Sequence, residues 1–169
     1  SSHNTHVGKS FTMCGIAASA YMHGANVLYI TLEESEHKIR QRIDANLLNI
    51  RMDQFEGFEE KVFKKLISDV SKKTLGKLKI KEYPTASASA SMFKLYIEEL
   101  RLKENFIPDM IFVDYMGICL SDRYRTVENS SAYLQAITEE LRGLAISVDC
   151  VMFTAQQTNR GGNQTTDPS

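Results

Sequence analysis

An α/β fold, with a mostly parallel, twisted sheet carrying helices on both faces, follows from three features of the chain. Short, nearly continuous apolar runs of the buried-strand type occur at Asn26 to Leu32 and Met110 to Val113. Stretches of helical periodicity alternate with them. Gly8-Lys9-Ser10 opens an apolar run from Phe11 to Tyr21, the arrangement of a phosphate-binding loop feeding a helix. In such an open sheet the ligand crevice lies outside the carboxyl ends of the strands.

Taken in order, Phe11 to Met22 reads as a helix ended by Gly24, and Asn26 to Leu32 as a strand. Ser35 suits the N-cap of a helix carrying Ile39, Ile43 and Leu47. A further helical stretch bears Phe55, Phe58, Val62, Phe63, Leu66, Ile67 and Val70. After Gly76, the segment Lys77 to Tyr83 alternates Leu78, Ile80 and Glu82 with lysines until Pro84 stops it, which predicts a strand near an edge. The Ala/Ser stretch Thr85 to Ser91 reads as a loop and helix start, because it runs straight into Met92, Phe93, Leu95, Tyr96, Ile97, Leu100 and Leu102. Pro108 precedes the most apolar strand, which ends in Asp114-Tyr115. A polar loop from Ser121 to Ser130 then leads to a helix from Ala132 to Val148. The last strand, Cys150 to Thr154, ends in Ala155-Gln156-Gln157, and the tail from Gly161 to Ser169 holds no apolar residue to anchor it, so mobility is expected there. A phosphate loop of this type normally follows a strand, and the chain begins inside the loop. Residues 1–169 are therefore expected to form a single phosphate-loop domain that is partial at both ends.

The chain has 169 residues, 43% hydrophobic and 24% charged, which suits a soluble globular domain and excludes disordered and fibrous classes. A formal net charge of -1 gives no global basic signal, so it neither supports nor excludes DNA as a partner. Cys14, Cys119 and Cys150 lie in apolar segments without metal-ligand spacing and read as buried free thiols in a reducing cytosol. No signal peptide, long charge-free apolar run or basic amphipathic stretch suggests a membrane.

The chemistry gathers at the strand ends. Successive backbone N–H groups from Val7 through Gly8, Lys9 and Ser10 to Phe11, with the positive end of the following helix, would face phosphates. Lys9 would bridge the terminal ones and the Ser10 hydroxyl would ligate magnesium (Mg2+). The common loop pattern has glycine five residues before Gly8, where this chain has His3. Asp114, ending an apolar strand, can reach the same magnesium shell, although a strand-end aspartate is also an ordinary turn residue. Glu33, just past the preceding strand, suits a base that orients water against the terminal phosphate, with the adjacent Glu34 as its rival and helix capping as the bland role for either. Gln157 could report the terminal phosphate, with Gln156 beside it as the rival.

The order of Gly8-Lys9-Ser10, Leu32-Glu33, Ile111-Phe112-Val113-Asp114-Tyr115 and Thr154-Ala155-Gln156-Gln157-Thr158-Asn159-Arg160 resembles the RecA-type motor domain of DnaB-family replicative helicases. Val7-Gly8-Lys9-Ser10, Arg42-Ile43-Asp44-Ala45-Asn46 and Ile97-Glu98-Glu99-Leu100 resemble most the branch of that family found in T-even-like bacteriophages, and the resemblance spans nearly the whole chain. It implies a RecA-like phosphate-loop fold that uses ATP and Mg2+. Lys9 and Ser10 would lie on phosphates and metal, Glu33 would be the catalytic base, Asp114 the second-motif magnesium residue and Gln157 the phosphate sensor. It further implies a homo-hexamer on single-stranded DNA, working with a helicase loader and primase in the cytoplasm, that of the host if phage-encoded.

Other readings of the same motifs are a RecA-type recombinase or other DNA-dependent filament ATPase, a small-molecule kinase with Arg123 and Arg125 as lid candidates, and a non-catalytic nucleotide-binding regulator. Retention of the Glu33 and Asp114 carboxylates weighs against the last.

Overall fold

The structure is a computed structural model that describes residues 13–48, 60–73, 76–124, 129–156 and 164–166. Its elements in chain order are α1 (residues 13–22), β1 (Val27–Thr31), α2 (Glu36–Leu47), α3 (Glu60–Ser71), β2 (Leu78–Glu82), α4 (Ala90–Glu104), β3 (Met110–Asp114), α5 (Ser130–Ser147), β4 (Val151–Gln156) and β5 (Gln164–Thr166). The sheet order is β2-β1-β3-β4-β5, with the first four strands parallel and β5 antiparallel to β4.

The alternation within each strand sorts side chains onto two faces. Val27 and Tyr29 of β1 and Phe112 of β3 pack with Met13, Cys14, Ala17 and Ala18 of α1 and Ile39 and Ile43 of α2. Leu28, Ile30, Ile111, Val113 and Met152 face the other way, onto Phe93, Ile97 and Leu100 of α4 and Ile137, Leu141 and Leu144 of α5. This is the doubly covered sheet that the continuous apolar runs predict. A ladder of rings crosses the middle of the first face. Phe112 stacks between Tyr29, at 5.6 Å and 13°, and Phe153, at 5.1 Å and 11°.

Helix ends follow local chemistry. Ser35 Oγ accepts from the Lys38 N–H at 3.2 Å and starts α2, and Asn129 Oδ1 accepts from the Ser131 and Ala132 N–H groups to start α5. Gly24, at φ +94, takes the left-handed turn that ends α1, a conformation an L side chain rarely adopts. β2 is the edge strand that its lysine alternation predicts. Its Lys79 pairs with Glu104, and Lys81 lies over the Tyr83 and Tyr96 rings at 5.3 and 5.2 Å.

Two expectations are corrected. Residues 164–166, expected in an unanchored tail, form β5, with Thr166, Thr165 and Gln164 in register with Thr154, Ala155 and Gln156. Strand addition draws on backbone hydrogen bonds and needs no apolar side chain, which is why hydropathy did not reveal it. Cys150 is half-buried, whereas Cys14 and Cys119 are buried. All three thiols are free, and burial pushes Cys150 up to about 11 and Cys14 and Cys119 each up to about 12. The start of the polar loop after β3 is tied down. Glu140 of α5 accepts from the Asp122 N–H at 2.6 Å and from Ser121 Oγ at 2.9 Å, while Asp122 accepts from the Ser91 N–H at 3.0 Å, near the start of α4.

Candidate active site

β1 and β3 end level, with Thr31 in register with Asp114, and β4 runs one residue past Ala155, the register partner of Asp114. The Leu32 N–H donates to the Asp114 carbonyl at 2.8 Å, so the ladder extends one residue past β1 before the chain turns. Thr31 Oγ1 then donates to the Glu34 carbonyl at 2.8 Å and closes that turn. The turn sends two adjacent glutamates to different surroundings.

Glu34 folds back over α2. Its Oε1 lies 3.3 Å from Nη2 of the buried Arg42 and its Oε2 lies 3.7 Å from Lys38 Nζ. Glu33 is exposed, just past the end of β1. Its charge, after the larger effect of burial, helps raise the Tyr115 phenol, which places it close to the residue that follows Asp114. The Tyr115 ring occupies the space where Gly117 would carry a Cβ, only 2.6 Å from its nearest ring carbon, so glycine there lets the ring lie against the backbone.

Asp114 is 2% exposed, and its Oδ2 accepts from the Tyr29 hydroxyl at 2.9 Å. Cys14 Sγ donates to that hydroxyl at 3.7 Å. Cys14 stands four residues after Ser10, and the charges of Asp114, Arg42 and Glu34 all reach it. The front of α1, Glu33 and Asp114 are thus brought to one end of the sheet, as the motif order predicts. Val7, Gly8, Lys9, Ser10, Phe11 and Gln157 lie outside the described residues, as do Arg125 and Arg160. Arg123 is held by Glu139 at 2.9 Å, which leaves the kinase reading without its best described lid cation.

The donor set suits magnesium. Among the described residues no group of three His, Cys, Asp or Glu side chains could hold a metal by itself. A single strand-end carboxylate is the hard oxygen donor that magnesium takes alongside water and substrate phosphates.

Residues 3–169 match the family model of the DnaB-like helicase C terminal domain. The chain belongs to that family. Over 158 residues, 91% of its length, it is 43% identical to the DnaB-like replicative helicase of Enterobacteria phage T4, and it spans 33% of that relative. The fold of this DnaB-like domain is similar to a DnaB-like replicative helicase whose structure was described with its interactions with primase, at a TM-score of 0.56 and 13% identity over 76% of this chain and 30% of that one. It is also similar to a second solved structure, that of an ATPase domain, at a TM-score of 0.65 and 14% identity over 86% of this chain and 51% of that one.

Motif reading left Tyr29, Cys14 and Arg42 without roles at the site. A tyrosine inside a fully buried strand is the signal that could have found the first, since a buried phenol needs a partner for its hydroxyl. Arg42 is the counterpart on α2: an arginine among the apolar positions of an amphipathic helix calls for a buried carboxylate, and Glu34 supplies it.

Proposed function

We propose that this domain is the ATP-hydrolysing motor of a replicative DNA helicase, acting in a homo-hexamer on single-stranded DNA with a loader and a primase as partners, in the cytoplasm. Membership of the DnaB-like family supports the class of activity. The observation that carries the chemical assignment is the split of the two glutamates. Glu34 is engaged by Arg42 and Lys38, whereas Glu33 is exposed just past the end of β1 and close enough to Tyr115 for its charge to act on the phenol. Among the described residues no helix is long and apolar enough to cross a membrane.

In this reading the backbone N–H groups from Val7 to Phe11 and the Lys9 ammonium bind the phosphates of ATP. Ser10 and Asp114 would hold magnesium, which would supply positive charge against the phosphate oxygens. Glu33 accepts a proton from the attacking water and orients it against the terminal phosphate, and Gln157 hydrogen-bonds that phosphate and passes its presence to the loops that grip DNA. Charge developing in the transition state calls for a further cation, on the order of a thousandfold in rate for related phosphoryl transfers, which a neighbouring subunit would supply. A net charge of -1 leaves little counterion release to drive DNA binding by a lone domain.

The test compares DNA-stimulated ATP turnover by the 169-residue chain and by the full-length protein across concentration. Weak turnover by the chain alone, with strong turnover by the assembled protein, is expected. Strong, DNA-dependent, concentration-independent turnover by the monomeric chain would overturn the interface mechanism.

A further inference from the structure

We propose that Tyr29 is a positioning residue for Asp114, holding the carboxylate in the orientation that receives magnesium. The inference rests on the reading of Asp114 as a magnesium residue. Tyr29 lies on β1, two residues before Thr31 and on the same face, so its side chain runs along the strand toward the level at which Asp114 ends β3. Its hydroxyl meets Asp114 Oδ2 at 2.9 Å, between residues 85 apart in sequence.

Two further features make this contact rigid and one-directional. The Tyr29 ring is fully buried and stacked on Phe112, which is itself stacked on Phe153, so the phenol is held across three strands. The Cys14 thiol donates to the phenol oxygen from the front of α1, which leaves the phenol's own hydrogen for Asp114. The chain of hydrogen bonds thus runs from Cys14 through Tyr29 to the carboxylate. With one oxygen held, rotation of the Asp114 carboxylate is restricted before any ligand arrives. Partners of this kind, bonded to a metal-binding side chain from behind, typically change metal affinity by about 10–100-fold when removed.

The experiment measures binding of a fluorescent ATP analogue to the full-length protein, titrated with magnesium and separately in excess EDTA, for wild type, Tyr29→Phe and Asp114→Asn. Tyr29→Phe is expected to raise the magnesium concentration for half-maximal binding by about tenfold while leaving affinity in EDTA unchanged. Equal loss of affinity with and without magnesium would mark a merely structural role and overturn the proposal, as would an unchanged magnesium requirement where Asp114→Asn shifts it. An unchanged requirement in Asp114→Asn itself would instead remove the magnesium reading of Asp114, and the proposal with it. Should Tyr29→Phe fail to fold, 3-fluorotyrosine placed at position 29 keeps the hydroxyl. Its 19F resonance should move on adding magnesium with nucleotide and stay in place with nucleotide in EDTA, and an unmoved resonance in both would overturn the assignment.

Discussion

Arg42 Nη2 meets Glu34 Oε1 at 3.3 Å, with the arginine side chain 8% and the glutamate side chain 18% exposed, while Arg42 Nη1 is buried with no hydrogen-bond partner among the described residues. An ion pair this well covered leaves an uncompensated charge when one member is removed. Glu34→Gln and Arg42→Ala should therefore each destabilise the domain, by about 1–3 kcal/mol, measured by chemical unfolding. Glu34→Gln should retain most of the ATP turnover of the folded protein.

Glu33→Gln is the contrasting substitution. It is expected to leave folding and nucleotide affinity close to wild type and to lower turnover by about 100- to 10,000-fold, the usual worth of a positioned general base. Steady-state turnover and calorimetric binding on the same preparation separate the two effects. A larger loss of turnover in Glu34→Gln would transfer the role to the neighbour.

Lys9→Ala should abolish binding of magnesium–ATP while far-UV circular dichroism stays unchanged, because in this reading the ammonium contributes charge toward the phosphates. Isothermal titration calorimetry showing wild-type affinity in the folded variant would sink the phosphate-loop assignment.

Asp44 gives a pH dependence of known sign. Burial raises its carboxyl from 3.8 to about 6, against a smaller opposing pull from Arg40. Between these values the folded chain holds a proton that the unfolded chain has released. The contribution of Asp44 to stability is thus complete below about pH 4 and is lost as pH rises through about 6. Asp44→Asn, which mimics the protonated form, should be more stable than wild type at pH 8 by up to about 3 kcal/mol, with the advantage vanishing near pH 4. Thermal unfolding of both proteins across that range checks it, and an offset independent of pH would rule out titration of Asp44 as the cause.

Phe112→Ala removes the middle ring of the ladder between Tyr29 and Phe153. A fully buried phenylalanine replaced by alanine should lower stability by about 3–5 kcal/mol. Because Phe112 also holds the Tyr29 ring, the variant should lose tight magnesium-dependent nucleotide binding more steeply than a core variant on the opposite face such as Leu141→Ala, compared at temperatures where both remain folded.

The sequence by itself determined what depends on near neighbours. The apolar runs of β1 and β3 select buried parallel strands, the period-two alternation divides Val27 and Tyr29 from Leu28 and Ile30, and Ser35 starts α2 through a bond three residues long. Glu33 and Asp114 could be placed at the crevice because strand ends are local features and a parallel sheet aligns them. Only the tertiary structure showed that Glu34 is paired with Arg42, since that contact depends on the turn closed by Thr31 and on the packing of α2 beneath it. The same holds for Tyr29 meeting Asp114, for Glu140 gathering the loop after β3 and for β5 adding to β4. Each joins groups far apart in sequence, and strand register, helix packing and unpaired backbone at a sheet edge bring them together, leaving no periodicity in the chain to announce the contact.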